Sequence, residues 1–112
     1  MSTSGTEILI TTSDDVPNRR ITSVLGLVRG NSVRARHVGR DIQAGIRSVF
    51  GGRVGVYAEL LEQSREEALV DMVAQARNKG ANCVVATRLS TSQVMSGADE
   101  VLEYGPAVVL SD

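Results

Sequence analysis

The feature that most constrains this chain is the stretch from Tyr57 to Lys79, which is written as one long amphipathic helix. Leu60, Leu61, Ala68, Leu69, Met72, Val73 and Ala76 recur at helical spacing, while Glu59, Glu62, Glu66, Glu67 and Asp71 fall mostly on the other side. Arg77 and Lys79 close the stretch and Gly80 follows, the order in which a helix dipole and a glycine C-cap are satisfied. A helix gains most of its stability by burying its apolar stripe, so the remaining residues must supply a surface for it. With 112 residues in all, that surface belongs to a single domain, read as 6–111 behind a flexible N-terminus at 1–5.

The flanking segments read as strands. Glu7–Thr12 is short and β-branched, and Ile21–Val28 (ITSVLGLV) is a second strand whose Gly26 points to a bulge. The turn cluster SDDVPN at 13–18 between them predicts that these two strands pair antiparallel. Gly30-Asn31 tolerates a turn, and 32–36 either extends a strand or forms an exposed ribbon. Ile42, Ile46 and Val49 predict a first, shorter helix over Gly39–Phe50, with Gly51-Gly52 as its stop. Asn82–Leu89 reads as a strand buried on both faces, 90–97 as a hydroxyl-rich loop, and Asp99–Leu110 as a last strand. Pro106 interrupts that strand and predicts an edge or a bulge there. The order β-β-α-α-β-β gives an α+β fold, a mostly antiparallel sheet with two helices packed on it.

Charge is unevenly distributed along the chain. From Arg19 to Arg53 there are eight arginines against one acid, Asp41; from Val54 onward four basic residues face nine acidic ones. Opposed halves can satisfy each other within one chain or between copies. Phe50, Tyr57 and Tyr104 are the whole aromatic content, so the core is aliphatic and thin, and further burial between subunits would add stability. A single cysteine, Cys83, excludes an internal disulfide framework and fits a reducing compartment. No apolar run follows a basic start and none approaches membrane-spanning length, so the expected place is the cytoplasm, away from membranes.

Candidate chemistry is sparse. His37 and Cys83 are the conventional soft-metal ligands, one of each and without paired spacing; a divalent metal would have to share them across subunits. There is no G-x-S-x-G elbow and no second histidine, and the helix acids are those of a solvated face, so an enzyme is not expected. An oxyanion is better served: Arg29, Arg34, Arg36, His37 and Arg40 crowd one segment beside the start of the first helix, where they either bind an anion or meet an acidic neighbour. Nucleic acid is not expected, because that basic run lacks aromatic residues on which bases stack.

Three stretches, VRGNSVRARHVGRD at 28–41, the Y-x-E-L-L…R-E-E-A helix from Tyr57, and K-G-A-N at 79–82, closely resemble the YbjQ family. The family carries the label "putative heavy-metal-binding domain". The resemblance runs from about Glu7 to Leu110. It implies a dodecin-like, YbjQ-like α+β fold and assembly into homo-oligomeric rings, pentamers in particular. It brings no metal motif that maps onto positions here. Two departures stand out: Glu103-Tyr104-Gly105-Pro106 where the family pattern is closer to A-Y-G-T, and Leu89-Ser90-Thr91-Ser92 where it often reads F-D-T-S, so one acidic cation ligand is missing. The expectation is a non-enzymatic ring protein with metal binding by resemblance only, or alternatively a small-molecule or anion binder with sites between subunits.

Overall fold

The computed structural model describes residues 7–35, 52–95 and 98–112. Among these, five strands form one sheet: β1 (Leu9–Ile10), β2 (Ile21–Ala35), β3 (Cys83–Val84), β4 (Arg88–Met95) and β5 (Ala98–Leu110). A single helix among the described residues, α1 (Gly52–Asn78), lies between β2 and β3 in the chain. The fold is α+β, as read. The shorter helix predicted over Gly39–Phe50 lies outside the described residues.

β5 is the axis of the sheet. One of its sides pairs antiparallel with β2 over its whole length, from Ile21 opposite Leu110 to Ala35 opposite Ala98. Its other side is shared: β4 pairs with Ala98–Tyr104 and β3 with Ala107–Val108. β1 adds to β3 in parallel, Leu9 opposite Cys83. The expected hairpin between the first two strands is therefore absent. The turn around Pro17 and Asn18 (φ 66°) instead carries the chain across one face of the sheet, from β1 at one edge to β2 at the other.

Several local expectations are met for identifiable reasons. The ladder shifts register between Val24 and Gly26, the predicted bulge. Gly80 (φ +86°) ends α1 in a Schellman motif, the Ala81 N–H donating to the Ala76 carbonyl at 3.0 Å and the Gly80 N–H to that of Arg77 at 3.0 Å. Pro106 sits inside β5, not at a sheet edge. Its carbonyl accepts from the Val85 N–H (3.2 Å), so its own nitrogen faces the same side, where β4 has ended and β3 not yet begun. The missing donor thus falls in a gap between two partners.

Four elements depart from the sequence reading. The helix begins at Gly52, read as a stop, because a glycine is tolerated where the first-turn N–H groups have no helical partner anyway. β2 runs unbroken through Gly30-Asn31. The single strand expected at 82–89 is divided by Ala86, whose φ of 50° turns the chain from β3 into β4; the Ala86 N–H donates to the Ser13 carbonyl (2.7 Å) and the Thr87 N–H to that of Thr11 (3.0 Å). The predicted loop at 90–97 is largely strand β4.

Two small cores flank the sheet. On one face α1 covers Val28, Val84 and Ala107 with Met72 and Ala76, joined by Ile8, Ile10, Leu25 and Leu69. On the other face Cys83, Val85, Val108 and Leu110 are sealed by Val16 from the turn. Burying side chains such as Met72, Val28 and Val108 completely stabilises the fold by about 1.5–3 kcal/mol each.

Candidate functional site

The turn that seals the second core covers only one end of its face. Toward the N-terminal half of β5 that face is open. Register identifies its occupants: Leu27 opposite Pro106, Arg29 opposite Tyr104, Asn31 opposite Leu102 and Val33 opposite Glu100, with Arg88, Ser90 and Ser92 of β4 completing the rows from the other side of β5. Partners directly opposite in an antiparallel ladder share a face. The alternate residues, Val28, Gly30 and Ser32, are buried against the helix side.

Leu27, Arg29, Asn31 and Val33 are exposed, and so is every residue of β4. On the α1 side of β4, Leu89 is also uncovered, because the helix packs on β2 and β5 and does not reach the fourth strand. β4 has β5 as its only strand partner among the described residues, so its outer edge offers free backbone groups. The edge of β2 is treated differently. The Arg29 N–H donates to Gln75 Oε1 (3.2 Å), the Asn31 N–H to Asp71 Oδ2 (3.3 Å), and the Ser32 hydroxyl is bonded to Glu67 Oε1 (2.7 Å). Side chains of α1 thus take up donors that would otherwise invite another strand.

Of the basic residues singled out in the sequence, Arg29 lies on the open face of β2 and Arg34 pairs in register with Asp99 at the far end of that strand. Arg36, His37 and Arg40 lie outside the described residues. Cys83 is fully buried in the second core, where burial pushes its thiol pKa up and Arg19 opposes the shift. A thiol held protonated in a sealed apolar cluster does not fit a metal ligand. Among the described residues no three His, Cys, Asp or Glu side chains are grouped to hold a metal. The sequence reading missed Tyr104 and Arg88, which the ladder brings beside Arg29 from distant parts of the chain.

Buried polar groups gather under the helix. Glu103 lies opposite Gly30 on the α1 side of β5 and is 8% exposed; desolvation raises its pKa, Glu66 raises it further and Arg65 opposes both. The Ser64 hydroxyl, on the buried face of α1, has no hydrogen-bond partner among the described residues.

The family model described as "Putative heavy-metal-binding" matches residues 8–111, nearly the whole of this sheet and helix. The chain belongs to the YbjQ family. Its YbjQ relatives include a UPF0145 protein of Archaeoglobus fulgidus, 50% identical over 104 residues that cover 93% of this chain and 96% of the relative. Another is a UPF0145 protein of Dehalococcoides mccartyi, 46% identical over 103 residues covering 92% and 99%. A crystal structure of a protein of unknown function from Pediococcus pentosaceus, placed in the DUF74 family, shares the fold with a TM-score of 0.65 at 16% identity, over 93% of this chain and 98% of that one.

Proposed function

We propose that this YbjQ protein works as a non-enzymatic homo-oligomeric ring in the cytoplasm, built from copies that cover one another's β4 strands. The observation that carries this reading is β4 itself: eight consecutive exposed residues whose outer edge has no strand partner among the described residues, bearing Leu89, Val94 and Met95 in the open. An exposed strand of this length is a template for another chain, and soluble proteins cover or blunt such edges. A second copy is the occupant favoured by the charge split, since the arginine-rich first half and the acid-rich second half of neighbouring copies attract. Five copies is the number the family resemblance implies, and a head-to-tail contact closes into such a ring when its rotation permits.

The heavy-metal label of the family finds no support in Cys83, for the reasons of burial and protonation given above.

The test is Leu89→Glu combined with Met95→Glu. The pair places charges on the proposed interface while leaving both cores untouched. The expected result is an intact fold by circular dichroism with the mass reduced to that of one chain. A variant that keeps the wild-type oligomeric mass would remove β4 from the interface.

A further inference from the structure

The open face carries a feature that subunit assembly does not require. Arg29 of β2 and Arg88 of β4 both stand directly opposite Tyr104 of β5, one from each side. All three side chains therefore share one row on the face away from α1. Strands lie about 4.8 Å apart, so the two arginine α-carbons are separated by about 10 Å, a span two long side chains can close on one ligand.

Neither guanidinium is neutralised by a neighbour. Among the described residues no carboxylate lies within salt-bridge distance of Arg29 or Arg88, whereas Arg65 on α1 is paired with Glu62 at 3.0 Å. Glu100, in the same row set on β5 two pairs away from Tyr104, accepts from the Asn31 side-chain amide at 3.0 Å. One tip of the Arg88 fork is tied to the main chain, its Nη1 donating to the Thr87 carbonyl at 3.2 Å and to the Thr12 carbonyl at 3.5 Å, while the donors on Nε and Nη2 stay available. Both arginines are exposed and Tyr104 is half-buried between them.

We propose that the row Arg29–Tyr104–Arg88 is an oxyanion site that takes a phosphate group. Two forked cations on either side of a tyrosine, whose phenol O–H can donate, match a tetrahedral dianion in charge and in donor type, and Arg binds phosphate oxygens bidentately. The phosphate can come free or as the terminal group of a small phosphate ester; the recognition chemistry is the same. The three residues belong to one chain, with Arg88 at the first position of the β4 strand that the proposed assembly covers, so the site is tested on the protein in its native oligomeric state.

The test is calorimetric titration of the full chain with inorganic phosphate and, in a separate arm, glycerol phosphate. Ionic strength is held constant, and the mass of each sample is checked by light scattering. Saturable binding at one site per chain is expected, weakened about tenfold or more by Arg29→Gln and by Arg88→Gln, in keeping with the loss of one charged hydrogen-bonding partner. Arg20→Gln, an exposed arginine beyond the row, should bind like wild type. Tighter binding of the ester would identify the fuller ligand, and equal binding would identify free phosphate. Absence of saturable binding, or binding unchanged in both row variants, overturns the proposal. So does a change of oligomeric mass in Arg29→Gln without any phosphate binding by wild type, which would give the arginines to a subunit contact.

Discussion

Gly30 of β2 lies directly beneath the Ala68 carbonyl of α1. A β-carbon built on Gly30 would run into that oxygen and stand 2.5 Å from the Met72 nitrogen, so the helix backbone rests on the strand backbone with nothing between. This approach lets α1 reach the edge of β2 with Gln75, Asp71 and Glu67.

Gly30→Ala should therefore be among the most damaging single substitutions in the protein. The added methyl meets backbone atoms, which cannot rotate away, so the helix must lift. A loss of about 3 kcal/mol is expected, at the upper end of ordinary overpacking, read as a lower urea midpoint. A loss under about 0.5 kcal/mol, the range of an ordinary surface change, would show that helix and strand are not in this contact.

Ser64→Ala should have the opposite sign. The Ser64 hydroxyl is buried on the sheet side of α1 without a partner among the described residues, and alanine is the better helix former. A gain of about 1 kcal/mol is expected in chemical denaturation. A loss of similar size would mean that the hydroxyl makes a bond the fold depends on.

Glu103→Gln tests the buried carboxyl through its pH dependence. The folded-state pKa is raised, chiefly by desolvation and then by Glu66, so the native state holds this proton more tightly than the unfolded chain. Its contribution is present below the unfolded pKa and is lost as pH rises through the folded one. Glutamine removes that dependence. The variant should be more stable than wild type at pH 7, with the advantage shrinking as pH falls through the acid range. An advantage that is constant with pH would show that Glu103 is not the titrating group.

Cys83 should behave as a core residue and not as a reactive thiol. It is sealed between Val85, Val108 and Leu110, and burial raises its pKa. Alkylation by iodoacetamide is expected to be slow in the native protein and to become rapid on unfolding. Rapid native labelling would contradict the packing of the second core.

The contrast between what was legible and what was not follows from the range of the forces involved. The helix is written in its own residues, because stripe, charge order and Gly80 are all local. β5 was readable too, since its composition demands burial. Strand partners are another matter. β1 has two residues, and nothing local in Leu9–Ile10 says that they join Cys83–Val84 in parallel and not Ile21 onward. β4 was hidden because Ser90, Thr91 and Ser92 have the composition of a loop; they are a strand because β5 lies alongside. Ala86 carries no sign of its positive φ, which the bonds to Ser13 and the pairing of its neighbours impose. The arginine cluster drew attention by its density along the sequence, whereas the row that forms, Arg29 with Arg88 across Tyr104, depends on a register no single segment contains.

The claim that copies cover one another's β4 strands is tested most directly by the native mass of the untagged chain at micromolar concentration, by sedimentation or light scattering. A single discrete species at a multiple of 11.9 kDa, with five copies as the expected number, is the predicted result. A clean monomer of 11.9 kDa would contradict the account.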